Sequence, residues 1–182
     1  MPYEIAQPGG YRFETARHDL ALAPADLARL LDVWREQAGA GWLPHPSSAT
    51  FDAFVFMIGR VHLVELGADG TFRYRLYGTG SHYPIDAHKA TTARIRPAAF
   101  RALVEASYVE CAAERAPVYR DIRLVGPRRS ARMHRLLLPY ACDGRTPDLI
   151  VTGFVEEPGL ADIFRDPEFH ATRDDLVLED PD

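Results

Sequence analysis

The side chains able to do chemistry are few and widely spaced. Tyr74, Tyr77 and Tyr108 each combine apolar area with one hydrogen-bonding tip, the mixture that lines small-molecule cavities and also plain aromatic cores. Among the seven histidines, His82 and His88 stand six residues apart in a polar stretch, which is no helical repeat. No carboxylate or cysteine accompanies them at ligand spacing, so they read as loop histidines rather than a metal site. Cys111 falls on the apolar stripe of a predicted helix and reads as a packed thiol, as does Cys142; the two form no CxxC pair and indicate neither a disulfide framework nor zinc. Asp121 and His134 lie in successive predicted strands. Across a hairpin they would make a general acid–base pair, although opposite charges on neighbouring strands also form ordinary surface pairs. There is no GxSxG elbow, Walker loop or GxGxxG, and Gly78-Thr79-Gly80-Ser81 lacks the lysine a phosphate loop needs.

Composition narrows the classes. The 182 residues suit one domain with extensions, 47% apolar and 26% charged. A net charge of −5 opposes general binding to nucleic acid, and the Arg128-Arg129-Ser130-Ala131-Arg132 cluster reads as a solvated hairpin tip. With no apolar run near the ~20 residues that span a bilayer and no signal-peptide pattern, the expectation is a cytoplasmic protein that does not enter membranes.

The elements that must position these residues are easier to read. Phe72, Tyr74 and Leu76 alternate with Arg73, Arg75 and Tyr77, a strand with one apolar face; Val61 to Leu66 is a second, and Gly67-Ala68-Asp69-Gly70 supplies the reversal. Upstream, Pro24 and Asp26 open an amphipathic helix with Leu27, Leu30, Leu31 and Trp34 at helical spacing. Its stripe requires a partner, either the domain's own core or the same helix of a second subunit. Residues 1–23 read as a leader with at most one edge strand. Phe51, Phe54, Val55 and Ile58 form a short helical face. Pro97 opens the longest helix, bearing Phe100, Leu103, Val104, Tyr108 and Cys111, and Pro117 ends it. Three strands follow, Val118 to Val125, Ala131 to Tyr140 and Leu149 to Val155. Residues 158–182, acidic at Asp174-Asp175 and Glu179 to Asp182, read as a mobile tail, with a short helix compatible with Leu160 to Phe164. The pattern predicts an α+β domain over residues 24–157: a five-stranded antiparallel sheet with helices on one face.

That order resembles the PAS-domain family of short bacterial proteins, common in alphaproteobacteria. The resemblance rests on Trp34-Arg35 ending the first helix, the Phe72 to Thr79 strand, the Ala116-Pro117-Val118 junction and Leu136-Leu137-Leu138-Pro139, and covers Leu27 to Val155. Pro84-Ile85-Asp86-Ala87-His88 stands where family members carry a Gly-Arg-Asp type turn. The resemblance implies a sheet whose concave face and long helix enclose a ligand cavity or a filled core. It implies a sensor or regulatory module that binds a small ligand or a signalling protein and acts in trans, often as a homodimer. Tyr74, Leu76, His82, Tyr108, Cys111 and His134 are then the ligand-binding candidates, and Leu27, Leu30, Leu31 and Trp34 the dimer-interface candidates. Haem and flavin are cofactors of such domains, but no histidine occurs on the long helix and no Asn-Cys-Arg-Phe motif is present. Two alternatives stand beside this reading: a cone-shaped α+β enzyme using Asp121 and His134, and a ligand-free dimeric scaffold.

Overall fold

A computed structural model describes residues 3–6, 10–83 and 90–170. The expected Pro84 to His88 turn, His88 itself and the acidic end from Asp174 onward lie outside the described residues. The fold is α+β with a fully antiparallel sheet. Six strands form its body: β2 (Arg12–His18), β3 (Val61–Leu66), β4 (Phe72–Leu76), β5 (Val118–Val125), β6 (Ser130–Tyr140) and β7 (Leu149–Glu156); the four-residue β1 (Tyr3–Ala6) extends it at one edge. Their order is β1-β2-β5-β6-β7-β3-β4. β7 therefore sits between the two hairpins, paired with β6 along Met133 to Tyr140 and with β3 along Val61 to Glu65.

Both predicted hairpins form where their turns place them. Gly70 takes a positive φ of 79° in the reversal between β3 and β4, and the Gly67 N–H donates the closing bond to Thr71 O at 2.8 Å. Between Leu63 and Val64 the β3–β4 register shifts. Phe72 and Tyr74 stay buried, but Leu76 is half exposed.

The strand count corrects the expectation of five. The N-terminal segment is no mere leader with an edge strand: β2 lies inside the sheet, pairs with β5 from Arg12↔Val125 to His18↔Tyr119, and buries Phe13 completely. Residues 158–170 are likewise no tail. The helices α3 (Leu160–Phe164) and α4 (Pro167–His170) seat Leu160, Ile163, Phe164 and Phe169 in the core.

Helices cover both faces of the sheet rather than one. α1 (Ala25–Gln37) carries Asp26 in its first turn and Arg35 in its last, as the helix dipole favours. It lies on one face, where Leu27, Leu30 and Leu31 pack with Leu136, Leu138, Tyr140 and Val151. Trp34 Nε1 donates to Pro139 O at 2.9 Å, and Tyr140 Oη to Gln37 Oε1 at 2.9 Å. Gly153 lets α1 come this close, since a Cβ there would overlap Leu30 Cδ2. The stripe offered as a dimer interface is thus spent on the chain's own sheet, and its leucines present no free face. α2 (Ala98–Glu114) covers the other face and ends where Arg115 enters the left-handed region. Alternation along β6 divides the layers: Met133, Arg135 and Leu137 point toward α2, and Leu136, Leu138 and Tyr140 toward α1.

No helix among the described residues is long and apolar enough to cross a membrane.

Candidate functional site

Polar groups converge beneath α2. β3 brings His62, β4 brings Tyr74, Tyr77 follows it, α2 brings Tyr108 and β6 brings Arg135; together with Phe154 of β7 they help line a small cavity of about 30 Å³. That is room for one or two water-sized occupants. A haem or flavin needs a pocket of the order of 300–1,000 Å³ and does not fit this conformation.

His62 is held from three sides. The Gly78 N–H donates to Nδ1 at 3.0 Å, which leaves the neutral ring its proton on Nε2. The ring is stacked between Tyr77 at 4.3 Å and Phe154 at 4.5 Å. Burial first, and then the Arg135 charge, push its pKa down from 6.5 to about 3. An unfolded chain takes up the proton near pH 6.5 and the folded chain refuses it until about pH 3, so the stabilisation is complete above pH 6.5 and is lost as the pH falls. Going from pH 7 to pH 5 is expected to cost about 2 kcal/mol through this residue. His134, also depressed by burial, adds in the same direction. Urea denaturation of the wild type and of His62→Gln at both pH values isolates the share of His62; an equal pH-dependence in the two proteins would refute it.

Arg135 is 3% exposed and keeps its charge at any ordinary pH. Nη1 donates to Ser107 Oγ at 2.9 Å, and the guanidinium lies 5.2 Å from the centre of the Tyr108 ring. Among the described residues no carboxylate pairs with it. Glu156, a half-buried residue whose side chain is 5% exposed, is engaged at the rim by His82 Nδ1 at 2.6 Å and Ser81 Oγ at 3.3 Å. Tyr108 is fully buried and its Oη makes no hydrogen bond. The Tyr74 phenol is raised by burial first and then by its neighbour Tyr108, whose hydroxyl is its near polar companion. Tyr77 Oη shares a 3.1 Å contact with Ser81 Oγ, and burial raises its phenol too.

Of the six ligand-binding candidates, Tyr74 and Tyr108 line this cavity and the other four do not. His82 is exposed and bonded to Glu156. Cys111 is buried beside Ala116 O at 3.6 Å, its thiol pushed up by burial and unreactive on that account. Leu76 lines an apolar groove of about 460 Å³ with Phe51, Phe54, Ile58 and Leu63, where the bulge in β3 leaves it. His134 sits on the α1 side of the sheet. Cys142, expected to be packed, is exposed. The residues overlooked were His62 and Arg135. Their signal was a charged or polar residue at an inward position of an otherwise apolar strand, Arg135 between Met133 and Leu137 above all.

The acid–base pair is not formed. Asp121 and His134 are register partners in β5 and β6, yet no hydrogen bond joins them. Asp121 Oδ1 takes His18 Nε2 at 2.9 Å and the Ala16 N–H at 3.2 Å, and Oδ2 faces Arg132 Nε at 3.4 Å. His134 Nδ1 bonds Tyr119 Oη at 2.8 Å and Nε2 lies 3.9 Å from Glu157. With its carboxylate anchoring β2 and a competing guanidinium, Asp121 is arranged as a structural cross-strand group. Among the described residues no group of three or more His, Cys, Asp or Glu is placed to hold a metal ion.

Compared with models of protein families, with curated proteins and with solved structures, the chain finds no match in any of the three.

Proposed function

We propose that the protein is a PAS-type sensor or regulatory module that binds a small ligand beneath α2 and passes the change to a partner in trans, without catalysis. One observation carries this reading: the small cavity between α2 and the sheet, where, among the described residues, a buried guanidinium bonds a neutral serine hydroxyl and no carboxylate, and the hydroxyl of a buried tyrosine makes no hydrogen bond. A pure scaffold would be better served by apolar residues there, because a buried charge lacking a partner is destabilising. The element order supports the PAS resemblance: two strands, short turns, a long helix and three strands, with the helix packed on the sheet. The apolar groove beside Leu76 supports the partner half of the reading, being an exposed surface independent of the cavity. Binding at the cavity would bear on α2 through Ser107 and Tyr108 and on β4 through Tyr74 and Tyr77, both routes to the surface.

A native mass spectrum of the purified chain, set against its denatured mass, tests this. The expected result is a reproducible extra mass that vanishes on denaturation. A bare chain that also gains no thermal stability from any member of a metabolite and anion panel would sink the ligand half of the reading and leave the scaffold.

A further inference from the structure

Resting on that ligand-binding reading, we infer that the cavity beneath α2 is a receptor for a small anion, of the size of chloride or formate, with Arg135 as its counter-charge and Tyr108 Oη as a hydrogen-bond donor. Three independent features converge. The first is charge: the Arg135 guanidinium is 3% exposed, and among the described residues it hydrogen-bonds the neutral Ser107 hydroxyl and lies over the Tyr108 ring, with no carboxylate paired to it. A guanidinium removed from water without an anion costs several kcal/mol, which a bound anion would offset. The second is the unused donor. Tyr108 is a fully buried residue bordering the same space, its Oη makes no hydrogen bond of good geometry beside the Tyr74 hydroxyl, and a phenol offers its proton to an anion readily. The third is that no carboxylate among the described residues competes for Arg135. Glu156 is turned to His82 and Ser81, and Glu105 accepts from Thr92 Oγ1 at 2.5 Å, so neither carboxylate of these neighbouring elements is spent on Arg135. His62 fits the same picture, since its Nδ1 accepts from Gly78 and the neutral ring then presents Nε2–H, a further donor lining the space.

Size sets the class. A cavity of about 30 Å³ takes a monatomic ion or a three-atom carboxylate and no larger acid without rearrangement. A cation is opposed by the guanidinium, and a neutral apolar guest leaves both donors unsatisfied.

The test is thermal unfolding of the full chain in sodium chloride, sodium formate or sodium gluconate at equal ionic strength. Gluconate carries the same carboxylate but is too bulky to enter. Formate or chloride is expected to raise Tm by roughly 5–10 °C at a hundredfold excess over its dissociation constant. Tyr108→Phe, which keeps the ring and removes only the hydroxyl, is expected to weaken the apparent affinity roughly tenfold. Arg135→Met should abolish the response while leaving Tm in gluconate equal or higher, because the uncompensated charge is gone. If Arg135→Met does not fold, Tyr108→Phe still decides the matter. Equal Tm of the wild type in all three salts, or an undiminished response in Tyr108→Phe, overturns the inference. A neutral or cationic ligand found by native mass spectrometry would also overturn it while leaving the ligand-binding reading standing. If neither anions nor any bound mass is found, both fall together.

Discussion

Leu30→Ala is expected to destabilise the fold by about 3–4 kcal/mol, the range for removing a fully buried leucine whose surroundings cannot close the void. The surroundings here are unusually constrained. Leu30 is 0% exposed and is seated over Gly153 of β7, where the sheet offers no side chain to swing into the gap. Leu27 and Met57, its neighbours over the same glycine, are also fully buried. α1 is pinned on either side by the Trp34–Pro139 and Tyr140–Gln37 hydrogen bonds, which resist the helix moving inward. Guanidinium denaturation reads the loss, and sedimentation of the same samples reads assembly. A large loss of stability with unchanged sedimentation is expected, since the stripe belongs to the chain's own core. A loss below ~1 kcal/mol accompanied by dissociation would place α1 on a second subunit instead.

Gly78→Ala is expected to cost about 3 kcal/mol, from overlap and from one lost hydrogen bond. A Cβ on Gly78 would overlap Gly59 O and stand 2.8 Å from Val61 O, contacts with backbone that cannot rotate away. Gly59 is itself fixed with φ at +76°, and its carbonyl also accepts from the Gly80 N–H at 2.8 Å. Relief requires the chain to lift at residue 78, and lifting it withdraws the N–H that orders His62. The substitution should therefore reach the cavity as well as the stability. The His62 ring resonances, followed by proton–nitrogen NMR, are expected to show tautomer exchange or a pKa moving up toward 6.5. A variant with wild-type stability and an unmoved His62 would refute the close approach of residues 59 and 78.

Those two sites show where the amino-acid sequence was readable. The β3–β4 hairpin, α2 and the β5-β6-β7 strands follow from signals contained within each segment: alternation in Phe72 to Leu76, Asp69-Gly70 at the turn, Pro97 before the long helix. β2 reads as at most an edge strand because Arg-Phe-Glu-Thr-Ala-Arg-His alternates only weakly, and its place inside the sheet is not legible from it. What makes it a strand is β5, more than a hundred residues later, through Ala16 N–H to Asp121 Oδ1 and Thr15 Oγ1 to Asp121 O. α3 forms over Leu160 to Phe164, where the sequence allows a short helix, while the four residues of α4 are too few for a period to declare itself; both are held by Phe164 and Phe169 reaching the core. The assignment of α1 to its own sheet was legible only in part. Leu136-Leu137-Leu138 has no polar alternation, which marks a strand buried on both faces, yet its reading as the middle of a one-sided sheet concealed the second helical layer. Tyr74 and Tyr108 were found as aromatics with polar tips. Arg135 was not, because its meaning depends on which carboxylates fail to reach it, and that is a property of three-dimensional arrangement rather than of spacing.

The placement of β7 between β6 and β3 has a consequence for the chain as it leaves the ribosome. The β3–β4 and β5–β6 hairpins close locally and can form early, but the strand that welds them emerges after both. Until Leu149 to Glu156 are free, the inner edges of β3 and β6 expose unpaired backbone and the apolar rows of Leu136 to Leu138, the features that let nascent chains stick to one another. A stalled or truncated product ending before Leu149 is thus expected to be a client of chaperones and proteases, and the yield of folded protein in a cell should depend on how quickly the stretch from β6 through β7 is translated.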